Sequence, residues 1–378
     1  MKIVNCKIEN FFIMNSYPRI AIIYLSFHCE PYIDDVVSSL KKLTYPRDRV
    51  EFVIVDNPHP EYGSSVRYIE ENVMPMSGLI IPHVTLLPQK DNLGFAGGNN
   101  EGIKWALDNG FDYVFFHNND GFMASNCLEP LVEQMEKDKT IGVAQSLILL
   151  HPETDLVNSA GNAFQYLGFG FCGDYRVKHQ NLNLPAVSDV GYASGAALMM
   201  RADLLKEFGL WDQDFFLYHE DLEYSFRLRV AGFRSVVVKD SIFYHKYQFS
   251  RSITKFYWME RNRYGVMLMF FRIPTLLLLL PIALVLEIGL WLFAFKGGWW
   301  KERIKVYQYW LKLSSWQLWL KKRKNIFKIK KITDRELLKN AVAGIYFQEK
   351  SVENPLVIYV GNPVMKVYFV IVKFLIWW

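Results

Sequence analysis

Short apolar runs rich in β-branched and aromatic residues alternate with helical patterns through roughly the first 140 residues, and this alternation limits the possible folds more than any other feature of the chain. From Arg19, IAIIYLSF reads as a buried strand, a helical pattern runs from Tyr32 to Leu43, and VEFVIVDN is a second buried strand. HVTLLPQ, a helix after Gly98, the strand YVFFHNND and a helix from Cys127 to Lys137 continue the series. Strands joined through helices lie in a mostly parallel sheet with helices on both faces. The expected fold class is therefore α/β and Rossmann-like, with ligands at the carboxyl ends of the strands. After Ile141 the pattern loosens into Gly-rich turns (SAGNAF, GFGFCGDY) until GYASGAALMMRADLLKEFG gives one more strand and helix.

The last third is of another kind. Residues 273–295 form a 23-residue apolar stretch, unusual for a span in holding Pro281 and Glu287, and long enough to cross a bilayer. Between 299 and 331 eleven Lys and Arg stand against Glu302 alone, a net +10 in a chain whose total is +5, so the remainder is mildly acidic. Trp299, Trp300, Trp310, Trp316 and Trp319 are interleaved with these cations, as at a membrane surface. A single crossing would put the basic stretch opposite the body of the protein, against the positive-inside tendency. A re-entrant or interfacial hairpin is thus expected ahead of a full span or a buried helix. The tail PVMKVYFVIVKFLIWW reads either as a second membrane-surface element or as a terminal strand or helix on the core. A basic, aromatic stretch also suits nucleic acid, but the adjoining apolar run assigns it to a membrane, and no nucleic-acid partner is expected. Cys6, Cys29, Cys127 and Cys172 lack paired spacing, which argues for a reducing compartment and against a disulfide framework. The first 27 residues carry no secretory pattern, so the expected location is the cytoplasmic face of the cell membrane.

Five segments could carry chemistry. Asp56-Asn57 ends a buried strand, where a carboxylate can meet a ribose or base, although such residues also simply begin turns. Asp91 to Asn100 is a glycine-rich loop opening a helix, with Asn92, Gly94, Phe95, Gly98 and Asn99, suited to a phosphate but unlike the G-x-G-x-x-G fingerprint. His117-Asn118-Asn119-Asp120 follows YVFF, and Asp120 is placed to hold a divalent cation through hard oxygen. In FFLYHEDLEYSFRLR, Glu220, Glu223 and Arg227 share a helical face, while the apolar flanks require acids that are buried and so need a partner or a function. His245 ends the strand SIFYH, where it is either structural or a metal ligand.

In this order the segments resemble the inverting family 2 glycosyltransferases with the GT-A fold, particularly the rhamnosyltransferase-like branch. The matches are DNLGFAGGNNEGI, SGAALMMRADLLKEFGLWD and FFLYHEDLEYSFRLRVAGF, within about Pro18 to Tyr264. The resemblance implies transfer of a sugar, rhamnose among the candidates, from a nucleoside diphosphate sugar to a hydroxyl of a lipid-linked or polysaccharide acceptor. Asp221 would be the general base, and Glu220 beside it a second catalytic residue. Asp56, Asn57, Asn92, Gly94, Phe95, Gly98, Asn99, Asp120 and Arg227 would meet the nucleotide sugar, and Asp120 with His245 would hold Mg²⁺ or Mn²⁺. The implied layout is a catalytic domain over 1–264, with a nucleotide-sugar half at about 18–125 and an acceptor half at about 126–264, followed by a membrane-associating helical region over 265–378. Three departures stand out: Asn118 at the first acidic position of D-x-D, His28 where Asn is common, and Pro58-His59-Pro60 after Asp56-Asn57. The rival from another class is a non-catalytic membrane-surface protein that retains a sugar-nucleotide-binding fold, against which the intact Glu220-Asp221 pair argues.

Overall fold

The expected alternation forms β1 (Ile20–Ser26), α1 (Ile33–Leu40), β2 (Val50–Asp56), α2 (Val66–Asn72), β3 (His83–Pro88), α3 (Gly94–Asp108) and β4 (Tyr113–His117). The computed structural model describes residues 17–247, 255–346 and 353–378, so Cys6 lies outside the described residues. All of β1 is buried because the sheet is covered on both faces. Ile20, Ile22 and Tyr24 pack with Ile33 and Val36 of α1, and the alternate Ala21, Ile23 and Leu25 pack with Ala96, Ile103 and Ala106 of α3. The four strands run parallel in the order β3-β2-β1-β4. The chain reverses its winding between β1 and β4, which opens a crevice at their carboxyl ends.

The second half adds β5 (Gly121–Met123), α4 (Leu128–Lys137), β6 (Ile141–Leu150), β7 (Val157–Ser159), β8 (Asn162–Gln165), β9 (Gly170–Cys172), β10 (Val187–Asp189), β11 (Ala197–Arg201), α5 (Ala202–Phe208), α6 (Glu220–Val230) and β12 (Arg234–His245). β11 inserts antiparallel between β4 and β6, and β12 then pairs parallel with β6. This reversal positions the site, because it sets Ala197 opposite His117 and brings the loop before β11 to the edge where β4 ends.

The C-terminal region comprises α7 (Lys255–Phe270), α8 (Ile273–Lys296), α9 (Trp300–Trp310), α10 (Leu313–Ile329), α11 (Asp334–Leu337), β13 (Ala341–Val342) and α12 (Asn362–Leu375). The expected boundary at 264 falls inside α7. Phe215, Leu222, Phe226 and Val230 share one buried core with Val266, Met269, Phe270, Trp319, Leu337 and Phe369, and β13 pairs with β8. The helices are packed into the α6 side of the molecule and are not an appendage. Part of the basic, tryptophan-rich stretch is likewise structural, where a membrane-surface belt was expected of it. Trp299 and Trp319 are buried, and Gly265 is needed because a Cβ there would lie 2.2 Å from the Trp319 ring. Arg303 is buried against Glu260 and Glu287, Lys322 pairs with Asp212 and Asp214, and Lys330 pairs with Asp334. Lys301, Lys312, Lys321, Lys324, Lys328 and Lys331 remain exposed.

Two helices, Ile273–Lys296 and Val357–Leu375, are long and apolar enough to cross a membrane by length and composition. The outer side of α8 exposes Leu277, Leu280, Leu284, Ile288 and Leu292, and α12 exposes Val367, Val370 and Phe374. Glu287, in the middle of α8, lies on its inner side, where Tyr264 and Tyr307 donate to it at 2.5 and 2.7 Å and Arg263 and Arg303 pair with it. α8 is thus tied by its middle to α7 and α9, with its other side apolar and uncovered. Replacing Glu287 by Ala is expected to destabilise the fold by about 3 kcal/mol, because two buried guanidinium groups lose a partner. A melting curve within about 0.5 kcal/mol of wild type would show that Glu260 alone suffices.

Candidate active site

A crevice of about 400 Å³ opens where the start of α3, the segment after β4, the loop before β11, the start of α6 and the end of β12 meet. Its walls include Phe95, Asp120, Tyr192, Gly195, Glu220, Asp221 and His245. α6 begins at this wall with Glu220 and Asp221 in its first turn. Asp221 accepts the Gly195 N–H through Oδ2 at 3.0 Å and its neighbour Leu222 N–H through Oδ1 at 2.7 Å, so the carboxylate is aimed by backbone on two sides. Burial pushes it up to about 6, only partly countered by those amides. Glu220 is also buried, and burial together with the Asp221 charge raises it well above the ordinary carboxylate range.

The turn before α6 is strained. Phe216, Tyr218 and His219 have φ of 60°, 66° and 68°, a region that bulky side chains avoid. Two neighbours hold it in place. The Asn262 amide nitrogen lies within 3.0 Å of the carbonyls of Phe215, Leu217 and Tyr218, and Arg261 reaches the Asp214 carbonyl. On the other side, the Phe95 N–H donates to the Phe216 carbonyl at 2.7 Å. Sequence reasoning missed Asn262 and Gly195. A signal for the former exists in Glu260-Arg261-Asn262-Arg263, four consecutive polar residues that are all buried within an otherwise aromatic and apolar helix.

Asp120 and His245 converge as expected. His245 Nε2 lies 2.9 Å from Asp120 Oδ1 and 3.0 Å from the Asn118 amide nitrogen, which itself donates to Asp120 Oδ1 at 2.7 Å. His245 Nδ1 is 2.9 Å from Asn158 Oδ1, an outer contact that fixes the ring and turns Nε2 toward Asp120. One carboxylate, one imidazole and an adjacent amide form a mixed oxygen and nitrogen set suited to Mn²⁺ or Mg²⁺, so these residues fit such an ion. Among the described residues no group of three His, Cys, Asp or Glu side chains could hold a metal, and the remaining positions would fall to ligand oxygens.

Other expected nucleotide contacts have architectural partners. Asp56 is 1% exposed and accepts from Ser26 Oγ, Ser64 Oγ and the Ser65 N–H. Asn57 accepts the Leu93 N–H and donates to Asn92 Oδ1, which accepts the Gly94 N–H. The first amides of α3, from Leu93 to Ala96, are thereby all occupied by protein acceptors, and the helix end expected to cradle phosphate is closed by Asn57, Asn92 and Phe216. Gly94 has φ of 72° and lies against Phe216, whereas a Cβ at Gly98 would lie 2.4 Å from Leu25, so this glycine lets α3 pack closely on β1. Asn99 donates to the Phe95 carbonyl; Phe95 itself does line the crevice. Arg227 neither orients the acid pair nor faces the crevice. It is buried in a two-point pair with Glu223 at 3.0 and 2.5 Å, and its remaining nitrogen serves the carbonyls of Phe208 and Leu210. Beside Asp56, at the ends of β1 and β2, His28 stacks on Tyr62 at 4.0 Å and His59 lies 4.8 Å from the same ring.

Residues 21–209 match the family model described as glycosyl transferase family 2, half of the chain, ending shortly before α6. An N-acetylglucosaminyl-diphospho-decaprenol L-rhamnosyltransferase of Mycobacterium tuberculosis is 28% identical over 184 residues, 44% of this chain and 60% of the relative's length. A crystal structure of GalNAc-T7 with UDP, GalNAc and Mn²⁺ superposes with a TM-score of 0.52 at 15% identity, covering 67% of this chain and 48% of that one, which supports the shared fold. Residues 1–349 of S. aureus TarS align over 93% of this chain and 89% of that chain, with a TM-score of 0.47 and 15% identity. The α/β sheet with its crevice at the strand ends, the acid pair opening α6 and the match over half the sequence agree: this chain is a glycosyltransferase and belongs to glycosyl transferase family 2.

Proposed function

We propose that the enzyme moves a sugar from a nucleoside diphosphate sugar to a hydroxyl of a lipid-linked or polysaccharide acceptor, in one displacement that inverts the anomeric carbon, at the cytoplasmic face of the membrane. The observation that carries this reading is Asp221, a crevice carboxylate oriented by two backbone amides and raised by burial to about 6. At neutral pH it is mostly ionised and still basic enough to take the proton of an attacking hydroxyl. Similarity to the mycobacterial enzyme makes L-rhamnose the first donor sugar to test. The aromatic rings of His28, His59 and Tyr62 at the ends of β1 and β2 offer a wall for the nucleobase. Asp120 and His245 are the residues that would hold Mg²⁺ or Mn²⁺, and an ion bound there would supply positive charge beside the departing diphosphate. The uncovered apolar sides of α8 and α12, with the exposed lysines of α9 and α10, support docking on an anionic lipid surface.

Nucleotide release across a panel of nucleoside diphosphate sugars, followed over pH, tests the reading. kcat/KM should fall as pH drops through about 6, because protonated Asp221 can accept no proton; a flat acid limb would exclude it as the base. Excess chelator should suppress turnover and added Mn²⁺ or Mg²⁺ restore it, whereas undiminished activity in chelator would leave Asp120 and His245 to a sugar-hydroxyl contact. The full chain should co-sediment with anionic vesicles and be only partly released by high salt, since salt screens the lysines but not the buried apolar area. Complete release would reduce the docking to electrostatics.

A further inference from the structure

Two acids stand side by side at the start of α6, and their surroundings differ in a way that assigns them different states. Asp221 receives two backbone N–H donors, which favour its anion. Glu220 is 5% exposed, lines the same crevice, and its Oε2 has no hydrogen-bond partner among the described residues. Besides Glu220, the charged and titratable groups around the crevice are Asp221 on α6, Tyr218 and His219 on the preceding turn, Asp120 after β4, Cys172 at the end of β9, Tyr192 in the loop before β11, His245 and Tyr247 at and after the end of β12, and Lys255 at the start of α7. The Lys322 cation of α10 is taken up by Asp212 and Asp214, and the guanidinium of Arg227, further along α6, by Glu223. An enclosed anion at Glu220 would have the Asp221 carboxylate on the next residue and no donor at Oε2, an arrangement that strongly disfavours charge.

We propose that Glu220 is held as a neutral carboxylic acid and donates its O–H to a sugar oxygen at the site of attack, positioning that sugar beside Asp221. This rests on the reading of Asp221 as the base. It explains why two adjacent carboxyl groups can face one crevice: one accepts a proton, while the other supplies a hydrogen bond without adding charge, a division set by environment alone. A buried group awaiting a hydroxyl also gives selectivity, since a sugar lacking that oxygen leaves the donor unpaired. The burial and like-charge effects that raise Glu220 act in the same direction as the geometry.

Three measurements on the full chain test it. Glu220→Gln keeps a neutral donor in nearly the same shape and should retain kcat/KM within about 5-fold, whereas Glu220→Ala should lose about 10- to 100-fold. In the alanine variant a raised acceptor KM identifies the acceptor as the source of the oxygen, and a raised donor KM identifies the transferred sugar. Difference infrared spectroscopy at pH 7 should show a protonated-carboxyl C=O band in the wild type that is missing in Glu220→Gln. The proposal is overturned if Glu220→Gln, folded, falls as far as Asp221→Asn, if Glu220→Ala matches wild type, or if the band is absent. The infrared result needs no substrate, so it separates failure of this proposal from failure of the Asp221 reading.

Discussion

Asp221→Asn should lower kcat by about 10²- to 10⁴-fold while donor binding stays within a few-fold of wild type. The amide matches the carboxylate in shape and its oxygen can still accept a backbone N–H, as Asp221 does from Gly195 and Leu222, but it cannot take the proton of an attacking hydroxyl. The amide also lacks the negative charge that burial penalises at Asp221, which offsets the loss of one backbone acceptor, so the variant is expected to melt at about the same temperature as wild type. That combination separates a chemical role from a structural one. Near-normal turnover in the folded variant would remove Asp221 from proton transfer and leave its two backbone contacts as its only role.

Asn262→Ala should have the second largest effect, on stability and turnover together. Asn262 is fully buried, and its amide serves three carbonyls of a turn in which three bulky residues hold positive φ. Removing it leaves buried carbonyls without a donor, at about 1–3 kcal/mol each, and releases a conformation that costs about 1–3 kcal/mol per strained residue to maintain. The expected outcome is a loss of about 3 kcal/mol or more in unfolding free energy and a fall in kcat above about 10-fold, because α6 and its acids begin where this turn ends. A variant with native melting and native turnover would mean that the Phe95 N–H contact and the packing of Trp319 on Phe215 hold the turn unaided. The same packing predicts that truncation after residue 264 yields aggregated protein and no free catalytic body, since it cuts α7 and uncovers Phe215, Leu222 and Phe226.

What the sequence revealed and what it concealed follow from the range of the interactions involved. β1, β2 and β4 were legible because a strand covered on both faces needs a continuous apolar run, and IAIIYLSF, VEFVIVDN and YVFF have no other economical reading. The acid pair was legible because two carboxylates inside FFLY and SFRL cannot be a solvated face. The packing role of Gly98 in α3 was not legible because a glycine that admits a phosphate and one that admits the Leu25 side chain look alike until the neighbouring strand is placed. Arg227 was misread for a similar reason: its pairing with Glu223 is local, but the carbonyls that complete its coordination come from the end of α5. Trp299 and Trp319 fit a membrane belt by composition, and only tertiary packing shows them in the core. Asn262 acts at a distance of 44 to 47 residues along the chain, on backbone carbonyls that carry no sequence signal.

A single displacement at the anomeric carbon with Asp221 as base is tested most directly by the anomeric configuration of the product. With a donor that supports turnover, the linkage formed should be read by NMR before any downstream reaction, using the proton and carbon couplings at the anomeric centre. The product should carry a glycosidic bond of opposite configuration to the donor sugar, formed by the wild type and lost in Asp221→Asn. A product that keeps the donor's configuration would contradict it, because retention requires a second displacement or a same-face attack for which a single oriented base at Asp221 has no place.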